Sequence, residues 1–133
     1  DNRMTRFWIT LNQGVKFVLS CLGIMRGGEI FIPKIPSMHV AEIAKILAPN
    51  LKHKITGIRP GEKLHEMMIT SEDSRTTLDL GDRYVIEPSV SLWGRKSFTD
   101  DGAVPVKEGF SYSSDTNESW LDKNMFLSML DDM

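Results

Sequence analysis

The spacing of apolar and polar positions divides the first half of the chain into alternating strands and helices. Residues 4–9 are apolar and aromatic apart from a central arginine, which favours a short strand. The next stretch predicts a helix that ends near residue 25, before two glycines. Its predicted buried face consists of residues with i, i+3, i+4 and i+7 spacing: Val15, Val18, Leu19 and Leu22.

Two further strand-and-helix pairs follow in the pattern. Residues 29–33 indicate a strand that Pro33 either ends or restricts to a sheet edge. Ser37 is then the predicted N-cap of a second helix. The buried face of that helix would be Val40, Ile43, Ala44 and Leu47. Residues 54–58 predict a third strand, and residues 61–68 predict a helix after the Pro-Gly break. This alternation favours an α/β or mixed α+β fold.

The second half of the pattern is looser. Residues 78–86 predict a hairpin with a Gly81-Asp82 turn. Residues 88–111 mix proline, serine, glycine and charge with little periodicity, so we predict a long loop that is disordered in part. Asp122 would cap a last helix. Its inward residues would be Met125, Phe126, Met129 and Leu130. We therefore treat residues 1–133 as a single lobe.

Composition excludes several classes of function. A chain of 133 residues with 41% apolar and 26% charged residues is typical of one soluble domain. The net charge of −2 lacks the basic excess of nucleic-acid-binding proteins. No apolar run approaches the roughly 20 residues of a membrane-spanning helix. The single cysteine, Cys21, has no partner in the chain, which favours a reducing cytoplasm.

Arg6 and Arg59 are the candidate ligand-binding residues. Arg59 stands between a predicted strand and a predicted helix start, where unpaired N–H groups and the helix dipole favour phosphate. The planar guanidinium group also suits bidentate hydrogen bonding to phosphate oxygens. Two arginines on separate elements could therefore bind a diphosphate from two sides. The alternative is that both are surface arginines in ordinary ion pairs.

Glu62 has two interpretations. In the first turn of the predicted helix, its carboxylate would be stabilised by the helix dipole, or it could accept a hydrogen bond from a sugar hydroxyl. Glu62 and His65 also have the Glu-x-x-His spacing of carboxylate-bridged metal sites. His39 and His53 supply no matching pattern, so we predict no metal site. His65 and Glu66 would then form a polar helix face.

The motifs of dinucleotide binding and catalysis are absent from the sequence. No Gly-x-Gly-x-x-Gly motif follows a predicted strand. Neither Tyr84 nor Tyr112 is followed four residues later by a lysine, so the Tyr-x-x-x-Lys pair of short-chain dehydrogenases is missing. We therefore predict no catalytic residues, no cofactor-binding residues and no bound cofactor in this chain.

Four blocks of sequence, in the same order, resemble the C-terminal part of the inverting UDP-N-acetylglucosamine 4,6-dehydratases. They are RMTRFWITL at 3–11, GEIFIPKIPSM at 28–38, GIRPGEKLHE at 57–66, and YSSDTN with WL at 112–121. These enzymes are extended short-chain dehydrogenases. The resemblance implies an α/β (mixed α+β) fold, namely the C-terminal substrate-binding lobe of that group without its Rossmann domain.

In the resembled family, a Rossmann domain holds NADP and the catalytic residues, and the C-terminal lobe binds the UDP-sugar. The enzyme oxidises C4, removes water across C5–C6 and returns the hydride to C6 with inversion at C5. The product supplies pseudaminic acid-type surface sugars, including those of flagellin. By this resemblance Arg6 and Arg59 match the arginines that contact the diphosphate. Glu62 matches an acidic position on the uridine ribose.

The chain departs from the family because the dinucleotide-binding domain is missing. We therefore expect it to bind UDP-sugar but to be inactive alone. We also expect apolar surface to be exposed, through which the chain binds the missing Rossmann domain or self-associates. Two alternatives remain: an independent interaction or assembly module that kept the fold without the chemistry, and a fragment of a capsule-type nucleotide-sugar epimerase.

Overall fold

The computed structural model describes residues 1–90 and 94–131. The helices and strands in these residues are β1 (Thr5–Phe7), α1 (Leu11–Leu22), β2 (Ile30–Pro33), β3 (Ser37–His39), α2 (Val40–Leu47), β4 (Met67–Ile69), β5 (Thr77–Asp79), β6 (Arg83–Ile86), β7 (Val104–Pro105), β8 (Tyr112–Ser113) and α3 (Lys123–Asp131). Two short 3₁₀-helices cover Asp73–Thr76 and Phe98–Asp101. The chain forms two compact units, one of residues 1–12, 35–67 and 113 onward, the other of residues 13–34 and 68–112.

The first unit is built on the antiparallel pair β1–β3, in which Arg6 lies opposite Met38. Helix α2 follows β3 directly. The core of this unit is a buried cluster of Met38, Ile43, Leu121 and Phe126. The strand β1 thus lies beside the core, so residues on it are held in fixed positions.

The prediction that Ser37 caps α2 is wrong, because Ser37 belongs to β3. Its N–H donates to the Ser119 carbonyl and its own carbonyl accepts from the Leu121 N–H, each at 2.9 Å. These bonds hold Ser37 in an extended conformation, fully buried. His39 precedes α2 instead, without a side-chain cap. Pairing with a distant segment therefore overrides the local capping preference.

The last helix confirms the predicted cap. The Met125 N–H donates to Asp122 Oδ1 at 2.8 Å. Phe126 is buried, with its ring edge-on to that of Trp8 at 5.3 Å. Met125, predicted to face inward, is instead 48% exposed.

The second unit contains a four-stranded sheet in the order β2-β6-β5-β7. The predicted hairpin is confirmed, with Asp79 opposite Tyr84. Gly81 in the turn has a φ of +93°, which L-residues with side chains rarely adopt. Strand β2 lies at the sheet edge, as Pro33 predicted. The core of this unit is Leu78, Val85 and Phe98.

The predicted loop at residues 88–111 is not wholly irregular. It contains a 3₁₀-helix at Phe98–Asp101 and strand β7, which pairs with β5. Phe98 is buried, so an apolar side chain in a stretch without periodicity still joins the core. Residues 91–93 of the predicted loop lie outside the described residues.

The predicted strand at 54–58 and the helix after Gly61 are wrong. Residues 49–66 form neither helix nor strand, and every residue from 49 to 63 is exposed. The residues that follow form β4, which pairs with β8. The Glu66 carbonyl accepts the Ser114 N–H at 2.8 Å. Tertiary pairing therefore replaces the helix that local propensity favours.

Helix α1 forms as predicted, but the burial predicted for its apolar face is wrong. No residue of α1 is buried. The exposed fractions of the face are 48% for Val15, 58% for Val18, 62% for Leu19 and 59% for Leu22. A contiguous apolar patch of this kind is unusual on a monomeric surface. Within the described residues, no helix is both long enough and apolar enough to cross a membrane.

A buried ion cluster joins distant parts of the second unit. Arg95 Nη2 lies 3.2 Å from Glu29 Oε2, and Arg95 Nη1 lies 3.0 Å from Glu87 Oε1. The side chains of Arg95 and Glu29 are 9% and 1% exposed. Burial raises the pKa of Glu87, but hydrogen bonds from the Phe98 N–H, the Ser97 hydroxyl and Arg95 outweigh it, so the net pKa is lowered. Burial raises the pKa of Glu29 as well, but backbone N–H donors and Arg95 outweigh it, so both carboxylates are charged and Arg95 is the cation that pairs with both.

Replacement of Arg95 should therefore destabilise the protein strongly. We expect Arg95→Leu to lower the free energy of unfolding by about 3–5 kcal/mol, because two buried carboxylates lose their counter-charge. Urea unfolding followed by circular dichroism measures the change. The control is Arg75→Leu at an exposed position, which should change stability by less than about 0.5 kcal/mol. Equal effects of the two substitutions would contradict the prediction.

Candidate functional site

Strand β1 positions Arg6. The preceding residue, Thr5, is 1% exposed, whereas the Arg6 side chain is 22% exposed. Since successive side chains of a strand point to opposite faces, burial of Thr5 directs Arg6 towards the opposite side. The guanidinium group is therefore fixed at one end and reachable by solvent at the other.

The Arg6 guanidinium group holds a segment that is distant in sequence. Nη2 donates to the Lys63 carbonyl at 2.9 Å, and Nη1 donates to the carbonyls of Leu64 at 3.2 Å and Thr5 at 2.7 Å. Nε lies 3.6 Å from Glu66 Oε1. Three of its five N–H groups are thus directed to backbone carbonyls. Arg6 therefore acts first as a structural link in this chain.

Residues 63–66, hereafter the anchored segment, have further bonds to β1. Glu66 Oε2 accepts the Phe7 N–H at 3.2 Å. The Leu64 carbonyl accepts the Thr5 N–H at 3.1 Å. Backbone and side-chain bonds together fix this segment, even though it has no helix or strand of its own.

Arg59 and Glu62 form a turn immediately before the anchored segment. The Glu62 N–H donates to the Arg59 carbonyl at 3.0 Å, and Glu62 Oε2 accepts the Arg59 N–H at 3.2 Å. Gly61 lies within the turn with a φ of +81°, and Gly57 precedes it with a φ of +83°. Both turn-closing bonds use the backbone of Arg59, so its exposed side chain extends from a closed turn.

The expected helix N-terminus at this position is wrong, because no helix follows Gly61. Glu62 is therefore not stabilised by a helix dipole. One of its carboxylate oxygens closes the turn instead, an arrangement that pairs a side chain with a backbone N–H three residues away. The prediction that Glu62 contacts a ribose stays a prediction.

A buried hydroxyl network lies beside the anchored segment, and the sequence analysis missed it. Thr5 Oγ1 lies 2.8 Å from His65 Nδ1 and 2.7 Å from Ser114 Oγ. Ser114 Oγ accepts the Glu66 N–H at 2.9 Å. The interpretation of His65 and Glu66 as a polar helix face is therefore wrong. All of these residues fall within the sequence blocks that resemble the inverting dehydratases, and that shared location is the signal that could have identified the network.

Asp115 lies at the solvent side of this network. Its pKa is lowered, chiefly because the Ser113 hydroxyl donates a hydrogen bond to the carboxylate, while burial opposes the shift. The Ser113 Oγ to Asp115 Oδ1 distance is 2.5 Å. Asp115 Oδ2 lies 3.9 Å from His65 Nε2. The carboxylate is therefore charged and faces the imidazole ring.

The chemistry of this site suits binding of an anion. The exposed Arg59 lies four residues before the anchored segment, and the half-buried Arg6 binds that segment, so both supply positive charge near it. In the part of the chain that the structure describes, no group of three or more His, Cys, Asp or Glu side chains is placed to hold a metal ion. The exposed guanidinium group of Arg59 has the fork geometry that suits contact with phosphate oxygens.

Several known proteins are similar in sequence to this chain. The family model described as "Polysaccharide biosynthesis protein" matches residues 1–88. The inverting UDP-N-acetylglucosamine 4,6-dehydratase of Campylobacter jejuni is 53% identical over 98% of this chain, and the match covers 40% of the relative. The UDP-glucose 4-epimerase of Rickettsia canadensis is 39% identical over 62% of this chain and 26% of its own length.

A solved structure is also similar to this chain. The X-ray structure of Pen from Bacillus thuringiensis matches with a TM-score of 0.76 and 26% identity, covering 99% of this chain and 39% of that one. The predicted fold class, a mixed α/β lobe of an extended short-chain dehydrogenase, is confirmed. The resemblance to the C-terminal portion of the inverting dehydratases is confirmed as well. The chain spans less than half the length of these relatives.

Loss of the Ser113 hydroxyl should alter the acid stability of the protein. The lowered pKa of Asp115 stabilises the fold above the carboxyl's unfolded pKa of about 3.9, and this contribution is lost as the pH falls through the folded pKa. We therefore expect Ser113→Ala to raise the pKa of Asp115, as measured by NMR titration. The free energy of unfolding of Ser113→Ala should be lower than that of the wild type near neutral pH, and this difference should shrink in acid.

The matched control for this prediction is the Asp115→Asn background. In that background the carboxyl is gone, so the effect of Ser113→Ala should no longer depend on pH in this range. An unchanged Asp115 titration in Ser113→Ala would contradict the assignment of Ser113 as the main cause.

Proposed function

Since this chain belongs to the polysaccharide biosynthesis protein family, we propose that it is the UDP-sugar-binding part of an inverting UDP-N-acetylglucosamine 4,6-dehydratase. The observation that carries the proposal is the link between the two arginines. Arg6 holds residues 63 and 64 through their carbonyls, and the turn of Arg59 and Glu62 leads directly into that segment. A diphosphate between two such points would be bound by groups that are already in place.

The two arginines have different roles in this proposal. Arg59 supplies an exposed guanidinium fork to the diphosphate, because only its backbone closes the turn. Arg6 contributes positive charge and keeps the anchored segment on β1. Glu62 Oε1 accepts a ribose hydroxyl, while Oε2 remains on the turn.

The chemical step belongs to a longer protein in this proposal. NADP does not fit the residues of this chain, because the sequence has no glycine-rich motif after a strand and no Tyr-x-x-x-Lys pair. We therefore propose that the chain is inactive alone and that NADP binds a part outside it. A pseudaminic acid-type pathway for surface sugars such as those of flagellin, and a cytoplasmic location, are the settings we propose.

Two alternatives stay open. A nucleotide-sugar epimerase fragment is supported by the Rickettsia match, which covers a smaller part of the chain than the dehydratase match. An interaction or assembly module is supported by the large exposed apolar face of α1. Nucleotide binding separates the second alternative from the proposed function.

Arg59→Ala should weaken binding of UDP and UDP-N-acetylglucosamine. We expect a loss of roughly tenfold or more, because a charge-assisted hydrogen bond to phosphate contributes about 1.5–3 kcal/mol. Isothermal titration calorimetry measures the affinity. Arg59→Lys should recover part of it, since the charge stays but the fork is lost.

The matched control is Arg3→Ala, which removes a 70% exposed arginine that pairs with Asp1 near the same strand. It should leave nucleotide affinity within about twofold of the wild type, since its charge is exposed and screened. Equal losses in Arg3→Ala and Arg59→Ala would indicate a general charge effect. Binding that is indifferent to Arg59 would favour the interaction module.

We also propose that the apolar face of α1 is an interface. Four aliphatic side chains, each about half exposed or more, are available on one helix face. In a protein of the relatives' length this face would pack on the Rossmann domain. In the isolated chain it would pack on a second copy, because the hydrophobic effect favours covering it.

A charged residue on this face should prevent self-association of the isolated chain. We expect the wild-type protein to form a dimer or larger species and Leu22→Glu to shift it to a monomer, as measured by size-exclusion chromatography with light scattering. Lys16→Glu, on the same helix at an exposed charged position, is the control and should leave the assembly unchanged. A wild-type monomer at high concentration would contradict self-association.

A further inference from the structure

The hydroxyl network beside the anchored segment has a defined direction of hydrogen bonding. Ser114 Oγ accepts the Glu66 N–H at 2.9 Å, and the Ser114 side chain is fully buried. Its own proton must therefore be donated to another acceptor, and Thr5 Oγ1 lies 2.7 Å away. Thr5, 1% exposed, then donates its proton to His65 Nδ1 at 2.8 Å. Each hydroxyl in this order both accepts one bond and donates one.

This order fixes the state of the imidazole ring. Nδ1 must carry a lone pair to accept from Thr5, so the proton of neutral His65 is on Nε2. Nε2 faces Asp115 Oδ2 at 3.9 Å, and that carboxylate is held by the Ser113 hydroxyl. Asp115 is thus the charged group beside the ring, and Glu66, which pairs with Arg6, is the next residue along the chain.

Protonation of Nδ1 would reverse the order. A protonated Nδ1 donates to Thr5 Oγ1, and Thr5 must then donate to Ser114 Oγ. Ser114 Oγ would receive two bonds, from Thr5 and from the Glu66 N–H, and its own proton would lose the Thr5 acceptor in a fully buried position. A buried hydroxyl without an acceptor is destabilising, whereas the attraction of a partly exposed Asp115 for the ring is weak.

We propose that neutral His65, with its proton on Nε2, is a positioning residue for nucleotide binding. Through Thr5 and Ser114 it holds the Glu66 N–H, and Glu66 in turn lies against Arg6. The role of the anchored segment in binding rests on the proposed function. The hydrogen-bond order itself rests on the distances given above and on the need of each buried hydroxyl proton for an acceptor.

NMR spectroscopy of the imidazole nitrogens tests the tautomer directly. The chain has three histidines, so the signals of His65 are identified by their absence in His65→Asn. We expect Nε2 to be protonated and Nδ1 unprotonated at neutral pH. A ring protonated on Nδ1 would overturn the proposal.

Two matched variants test the positioning role. Asn places an oxygen at the position of Nδ1, whereas Gln places its amide near the position of Nε2. We expect His65→Asn to keep slow hydrogen exchange of the Glu66 amide and near wild-type affinity for UDP-N-acetylglucosamine. His65→Gln should speed that exchange and lower affinity roughly two- to tenfold. Equal behaviour of the two variants would overturn the proposal.

The same measurements separate the proposed nucleotide-binding function from the positioning role of His65. If the wild-type protein fails to bind nucleotide, the proposed function fails. The imidazole tautomer and the exchange of the Glu66 amide still decide whether His65 holds the anchored segment.

Discussion

The attachment of residues 63–66 to strand β1 is the constraint on which the candidate site depends. This segment has no helix or strand of its own, and the residues before it, from 49 to 62, are all exposed. Its position is therefore set by hydrogen bonds to strand β1, which involve the Arg6 guanidinium group, the Glu66 carboxylate and the Thr5 backbone. Without these bonds the turn of Arg59 would have no fixed relation to β1.

The candidate site depends on polar groups for its structure. Arg6 directs N–H groups to carbonyls of its own chain while part of its side chain remains exposed. Thr5 and Ser114, both buried, carry the link further to His65. Such a network is stable only when each donor has an acceptor, so the protonation state of one ring bears on the whole arrangement.

Helix α1 carries an apolar face that the described residues of this chain leave exposed. The unit that contains most of α1 buries Leu78, Val85 and Phe98 in its sheet, yet leaves the aliphatic side chains of the helix exposed. The relatives that match this chain are more than twice as long. The exposed apolar periodicity of α1 is therefore the feature that supports the interface we propose for this face.

The sequence by itself determined the elements whose signals are local. The period of α1, the Gly-Asp turn of the hairpin, the edge position of Pro33 and the Asp122 cap each depend on neighbouring residues, and each is present in the structure. Periodicity identified an apolar face on α1 but could not show whether this chain covers it. Only the tertiary structure decided that Ser37 lies in a strand and that no helix follows Gly61. In both places, hydrogen bonds from residues 113–121 take the backbone groups that local propensity would assign otherwise, and sequence spacing contains no record of that pairing.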